Sequence, residues 1–353
     1  MNKTKQVLEK RSDKIRGPNH IGLTIQDYKG KDSTLCAGCG HDAITSQIIR
    51  AFFEYGIDPR RVIKLSGIGC SSKTPAYFLN RSFGLNAVHG RMPSIGTGAI
   101  LANRHMIAIG VSGDGDTASI GIGQFVHMLR RNVPMIYIME NNGVYGLTKG
   151  QFSATAEEGS TLRTGVLNEL PPIDCCVLAI ELGCGYVARS FAGDPKQLVA
   201  LLKGAIGHKG TAFIDVLSPC VTFNNHEGST KSYNHLKESE EMLHEIGFVP
   251  FYEQISVDYS AGEVRVIELH DGSHLTLSKL EREYNPTDRA VAVERIHAAN
   301  AKAEVLTGLF YINAGKPDFT ELLDMNDEPL ATLAPERIRP SRAALMEIMN
   351  GLK

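Results

Sequence analysis

Gly113-Asp114-Gly115 and, further along the chain, Asn141-Asn142 are the residues best placed to do chemistry. The first group closes a continuous apolar run, Met106 to Val111, that reads as a strand buried on both faces. The second follows another such run, Pro134 to Met139. Ligands of open parallel sheets bind at the carboxyl ends of strands, where both groups fall. Asp114 offers a carboxylate, Asn142 an amide oxygen and Val144 a backbone carbonyl. Magnesium takes oxygens in octahedral array, only a few of them from protein, and the rest come from water or phosphate. Gly113 and Gly115 let the backbone approach an anion closely. A helix starting near Thr117, just after Asp116, aims its N–H groups and positive dipole end at the same place. The chemistry expected here is a divalent cation clamping a diphosphate. A Gly-Asp-Gly alone also occurs in plain turns; its pairing with two asparagines at a matching strand end makes the signal specific.

A second constellation uses sulfur. Cys36-Ala37-Gly38-Cys39 is a C-x-x-C just before a helix. Cys70 lies in the loop after the strand-like Val62–Leu65, and Cys220 follows the strand-like Ala212–Leu217. Both single cysteines therefore belong to the sheet edge that carries Asp114, and all four thiols can converge there. Spacing does not separate tetrahedral zinc from a four-iron cluster, and a C-x-x-C by itself also suits a redox dithiol. Cys175, Cys176 and Cys184 sit on a mostly apolar stretch and read as small buried hydrophobes.

The elements that must position these groups alternate. Helical spacing of Ile44, Ile48, Ile49, Phe52 and Phe53 marks a helix over His41–Tyr55. Helices are also expected over Ser94–Arg104, Thr117–Arg131, from about Ile173, and over Pro195–His208, with strands near Tyr186 and at Ala212–Leu217. Strands alternating with helices give an α/β fold: a mostly parallel sheet with helices on both faces. Residues 1–33 read as an N-terminal extension with a solvated, mobile start, 34–225 as the ligand-binding domain, and 226–353 as a C-terminal α+β appendage. In the appendage, Val264–Leu269 and His274–Leu277 around Asp271-Gly272-Ser273 read as a hairpin; 288–307 and 340–350 read as helices, with a loop from Leu322 to Pro340.

Gly-Asp-Gly followed at this distance by Asn-Asn is similar to the diphosphate-binding motif of thiamine diphosphate enzymes. Val144-Tyr145-Gly146-Leu147-Thr148-Lys149-Gly150-Gln151 further resembles one branch, the beta subunits of 2-oxoacid:ferredoxin oxidoreductases, particularly the 2-oxoglutarate type. The likeness runs from about Leu35 to Asn225. It implies thiamine diphosphate with Mg2+, and Cys36, Cys39, Cys70 and Cys220 as ligands of a [4Fe-4S] cluster. It implies that Ile68, Gly69, Cys70 and Ser71 lie against the cofactor, that Lys73 and Leu147 meet the substrate, and that His89, Gly90, Arg91 and Gly146 border the site. His41 is expected to cap or pack rather than join it.

The implied reaction is thiamine-dependent oxidative decarboxylation of a 2-oxoacid, giving an acyl-CoA and CO2 with electrons passed singly to ferredoxin; for 2-oxoglutarate the product is succinyl-CoA. The carboxylate that activates thiamine belongs, in this family, to a pyrimidine-binding domain on an alpha subunit. No catalytic residue is therefore expected in this chain, which should work within an α2β2 heterotetramer. Two other readings are a cluster-free thiamine decarboxylase component and a zinc-stapled nucleotide-binding module. The first usually needs a longer chain with both thiamine domains, and the second leaves Asp114 with Asn142 unexplained.

The bulk numbers narrow the class. The 353 residues are 42% hydrophobic with a net charge of −2, which gives no general basic field for nucleic acid. No apolar run approaches a membrane span. Seven cysteines without an export signal point to the reducing cytoplasm rather than a disulfide framework.

Overall fold

The computed structural model describes residues 17–36, 38–148, 150–162, 165–221, 255–269 and 274–352; the expected mobile start over 1–16 and the turn at 271–273 lie outside them. The helix expected from the apolar spacing after Cys39 runs Gly40–Tyr55 (α1) and ends at Gly56 in the left-handed region. Val62–Ser66 (β1), Phe83–Asn86 (β2), Met92–Ala102 (α2), Ile107–Gly113 (β3), Ile122–Arg131 (α3) and Met135–Asn141 (β4) follow. After the short pair Val144–Tyr145 (β5) and Gln151–Phe152 (β6) come Cys175–Glu181 (α4), Tyr186–Phe191 (β7), Pro195–Gly207 (α5) and Ala212–Leu217 (β8). The C-terminal region supplies Val264–Glu268 (β9), His274–Lys279 (β10), Arg289–Asn300 (α6), Val305–Ile312 (β11) and Arg342–Gly351 (α7).

One nine-stranded sheet carries the order β2-β1-β3-β4-β8-β7-β11-β10-β9. Its first six strands are parallel; β11 runs antiparallel to β7 and parallel to β10, and β9 pairs antiparallel with β10. The expected α/β architecture is therefore present. Alternation sorts the central strands into two cores. Met135, Tyr137 and Met139 face one layer with Phe125 and Phe213, while Ile136 and Ile138 face the other with Ile109, Val111 and Ile214. Each such fully buried side chain stabilises the fold by about 1.5–3 kcal/mol.

Three details differ from the sequence reading. The stretch expected as one helix over 288–307 is a helix followed by a strand: α6 stops at Asn300, and β11 inserts beside β7. Its residues are buried on both faces, so their apolar spacing carries no helical period. Strand β2 was not expected, because all four of its residues are exposed on the sheet edge and show no alternation. The helix expected from Thr117 begins instead with a π-helical turn over Gly115–Ile120, a widened turn that often marks functional sites. The expected hairpin is present as β9–β10, and both strands extend the main sheet.

The strand order also sets where a ligand goes. β1 connects outward to β2, whereas β3 connects to β4 on its other side. The loops leaving β1 and β3 thus diverge, opening a crevice between their carboxyl ends. Among the described residues, no helix is long and apolar enough to cross a membrane.

Candidate functional site

At that crevice the loop after β1 meets the turn after β3, and Asp116 ties them together. Its carboxylate is buried and accepts from the Ile68 amide at 3.2 Å, the Ser112 hydroxyl at 3.0 Å and the Gly90 amide at 3.0 Å. The His89 Nδ1 lies 2.7 Å from the same group. Gly90 has φ +70, a left-handed conformation that suits glycine, and a Cβ there would lie 2.7 Å from the Gly121 Cα. Asp116 thus organises the loops at 67–71 and 89–91; its oxygens are spent on them.

Asp114 is only 1% exposed. Its Oδ2 accepts from the Ser153 hydroxyl and, at 2.8 Å, from the Thr155 hydroxyl; its Oδ1 faces the Asn142 amide at 3.4 Å. Burial pushes the carboxyl above the usual aspartate range, and those donors draw it partly back; no side-chain cation is among the groups acting on it. Buried among neutral donors, this carboxylate is suited to receive a metal cation. Asn142 turns its amide oxygen to the Val144 amide at 3.1 Å, and a carbonyl oxygen retains a second lone pair. Asp114, Asn142 and Val144 are therefore adjacent, as the strand-end argument required. Gly115 has a specific role: a Cβ there would lie 2.5 Å from the Tyr145 ring, whose hydroxyl donates to the Gly115 carbonyl at 2.9 Å. Ser153 and Thr155 escaped the sequence reading, since no spacing rule links them to Asp114 across the intervening loop.

A single pocket gathers most of the expected residues. Ile68, Gly69, Cys70 and Ser71 line it from the β1 loop, and Gly113 to Asp116 from the β3 turn. His89, Asn142, Val144, Gly146 and Leu147 also line it, with Leu147 56% exposed at the rim. Gly90, Arg91 and Lys73 do not line it: Gly90 lies behind it on Asp116, Arg91 precedes α2, and Lys73 is exposed beyond Cys70. Four residues outside the expected site also line it: His41, Glu140, Tyr145 and Thr148. His41 is buried, with Nδ1 2.7 Å from the Ser218 hydroxyl and 3.6 Å from Glu140. It packs as expected, yet it also forms pocket wall, because α1 points its first turn at the sheet edge. Burial holds its imidazole down to about 4. The Glu140 carboxyl is raised well above its usual range by burial; one oxygen takes the Thr74 hydroxyl at 3.1 Å and the other has no partner.

The cysteines gather on the same side. Cys39 precedes α1, with its amide donating to the Cys36 carbonyl at 3.1 Å, and Cys70 belongs to the pocket wall itself. Burial raises the Cys39 thiol, and the neighbouring charges of Cys220, Glu140 and Cys36 raise it further. Cys70 is raised by burial and by Cys36, while Lys73 opposes. Cys36 thus acts on both Cys39 and Cys70, and Cys220 acts on Cys39. Among the described residues, however, no three His, Cys, Asp or Glu side chains converge as they would on one metal ion. By contrast, Cys175, Cys176 and Cys184 are buried in the core, as expected.

Residues 67–216 match the family model described as "Thiamine pyrophosphate enzyme, C-terminal TPP binding domain". The chain is 45% identical over 194 residues to a 2-oxoacid:ferredoxin oxidoreductase subunit beta of Sulfolobus sp., an alignment covering 54% of this chain and 63% of that protein. It is 39% identical over 189 residues to the 2-oxoglutarate synthase subunit KorB of Methanocaldococcus jannaschii, covering 53% of this chain and 69% of that one. The structure is similar, with TM-score 0.70 and 29% identity over 94% of this chain and 96% of the other, to a 2-oxoglutarate:ferredoxin oxidoreductase from Magnetococcus marinus with 2-oxoglutarate, coenzyme A and succinyl-CoA bound. All the lining residues of the pocket at the β1–β3 crevice except His41 lie within the matched thiamine pyrophosphate-binding region, and the chain belongs to the family of 2-oxoacid:ferredoxin oxidoreductase beta subunits.

Proposed function

We propose that this chain is the cofactor-binding half of a 2-oxoacid:ferredoxin oxidoreductase acting on 2-oxoglutarate in the cytoplasm. Its products are succinyl-CoA and CO2, its co-substrate is coenzyme A, and its electron acceptor is ferredoxin. The observation that carries this reading is that Cys70 and Asp114 line the same pocket, so a sulfur ligand and a cation ligand share one wall. The substrate assignment is supported by the ligands named for the Magnetococcus marinus neighbour. The partner is an alpha subunit, in an α2β2 assembly, that brings the pyrimidine-binding domain and the activating carboxylate.

Asp114, Asn142 and the Val144 carbonyl would hold Mg2+ on the diphosphate, and Cys36, Cys39, Cys70 and Cys220 would hold a [4Fe-4S] cluster. When bound, thiamine diphosphate supplies a carbanion-stabilising centre and the cluster a low-potential one-electron carrier. A cluster of four irons is wider than one ion, so its thiolates stand apart; zinc would draw all four to about 2.3 Å from one point. Around these groups the chain's own residues orient and enclose: the glycines allow close approach, Asp116 fixes the loops bearing Ile68 and His89, and Leu147 covers the rim. Lys73 stands outside the pocket lining, so its point charge would serve only a substrate carboxylate that reaches out past Cys70.

The test is anaerobic purification of the complex with iron, sulfide and zinc analysis and an absorption spectrum. About four irons and four sulfides per chain are expected. One zinc without sulfide would refute the cluster. Asp114→Ala should abolish Mg2+-dependent retention of thiamine diphosphate, and unchanged cofactor content would refute the cation assignment.

A further inference from the structure

Asp114 lies at the end of a hydrogen-bonded chain that starts deep in the sheet. We propose that Asn141, held by Asp215, is a positioning residue for the cation site. The inference rests on the reading above that Asp114 holds the cation of a bound diphosphate.

The chain begins with charge. Arg189 on β7 is buried and donates from Nε to Asp215 Oδ2 at 2.8 Å and from Nη2 to Asp174 Oδ1 at 2.9 Å. Asp174 is itself fixed, because it caps α4 by accepting from the Cys176 and Val177 amides at 2.9 and 3.1 Å. Asp215 on β8, 1% exposed, therefore has one oxygen committed to Arg189 and the other facing Asn141. The Asn141 Nδ2 donates to that oxygen at 3.1 Å.

This contact decides which way the amide points. An ionised carboxylate only accepts, so the NH2 of Asn141 must face Asp215 and its carbonyl oxygen must face away. That oxygen meets the Thr155 hydroxyl at 3.0 Å, and the same hydroxyl stands 2.8 Å from Asp114 Oδ2. The hydroxyl has one proton, so the two acceptors share it in a three-centre bond that holds the threonine between the amide and the carboxylate. Asp114 is left with Oδ2 tied to Thr155 and Ser153 and with Oδ1 turned toward the Asn142 amide. A ligand whose rotamer is fixed before the cation arrives loses less entropy on binding it. A buried ion pair is also poor ground for expecting added stability, whereas register and orientation are its best-attested uses.

The experiment uses the assembled complex with its partner subunit. Retention of thiamine diphosphate is measured by equilibrium dialysis across a Mg2+ titration, alongside the unfolding temperature; Mn2+ in place of Mg2+ gives an electron-spin signal of ligand geometry. Asn141→Ala leaves Arg189, Asp215 and Asp174 paired, and Asn141 is only half-buried, so the fold should persist. The Mg2+ midpoint should rise about 10- to 100-fold, the usual effect of losing a partner behind a metal ligand. Because the effect runs through Thr155, the double variant Asn141→Ala/Thr155→Val should bind no more weakly than Thr155→Val alone. An unchanged midpoint in Asn141→Ala, with only a lower unfolding temperature, would overturn the proposal. So would full additivity in the double variant. Asp114→Ala separates this from the underlying reading: if it too keeps the wild-type midpoint, the cation assignment fails; if it loses the cofactor while Asn141→Ala does not, only the positioning role fails.

Discussion

Replacing Asp116 by alanine tests how the crevice is built. The carboxylate satisfies the backbone amides of Ile68 and Gly90, at 3.2 and 3.0 Å, and both groups lie in loops that border the pocket. Each amide left unsatisfied costs about 1–3 kcal/mol. The Ser112 hydroxyl can rotate to another acceptor, and His89 is half exposed, so water can replace its bond. Removing a buried carboxylate also removes part of its own desolvation cost, which leaves a net loss of about 3 kcal/mol. For a domain of this size that lowers the unfolding midpoint by about 6–12 °C. Asp116→Asn keeps one acceptor oxygen but turns an NH2 toward donors, so about half the loss is expected. The measurements are the unfolding midpoint of the complex and limited proteolysis at 67–71 and 89–91, where cleavage should rise in step with the midpoint shift. A loss under about 1 kcal/mol in the alanine variant, below one unsatisfied amide, would show that Asp116 does not hold these loops.

The His208 imidazole is held down to about 4 by burial, and its Nε2 has no partner. The unfolded chain then binds the extra proton first, so stability should be full above about pH 6.5 and fall as pH drops toward 4. With partial exposure allowed for, the loss is about 1–2 kcal/mol, and His208→Gln should flatten the acid side of a stability-against-pH curve; an unchanged slope would refute it. Leu147→Ala should leave the unfolding midpoint alone, since the side chain is 56% exposed, while shifting KM among pyruvate, 2-oxobutyrate and 2-oxoglutarate; equal KM values would remove it from the substrate wall. Gly115→Ala should displace the Tyr145 ring and weaken Mg2+-dependent retention of thiamine diphosphate, read by dialysis. The chain without its partner should show no decarboxylation, and turnover by the isolated chain would mean that the activating carboxylate is in this sequence.

Much of the site was legible because its signals are local. Two buried strands ending in Gly113-Asp114-Gly115 and Asn141-Asn142 declare themselves by continuous apolar runs and by glycines at their ends. The C-x-x-C needs only a turn before a helix, and Cys70 and Cys220 were assigned to the right edge by strand polarity. The alternation of strand and helix determined the fold class, since parallel neighbours require crossovers that cover both faces.

What the tertiary structure decided is everything that depends on partners distant in the chain. Ser153 and Thr155 carry no pattern of their own, and only the return of the loop after β4 brings them to Asp114. His41 looked like a packing residue, and it packs; that it also walls the pocket follows from where α1 lands against β4 and β8. Arg189, Asp174 and Asp215 are three charges on separate elements, and their pairing exists only because β7 and β8 lie side by side. The strand β11 was not recognised, and its first three residues were taken into the helix read over 288–307, because burial on both faces erases the alternation that marks a strand. Periodicity reports how a segment meets solvent. It is silent once no solvent is near, and there the neighbours chosen by the fold determine both structure and site.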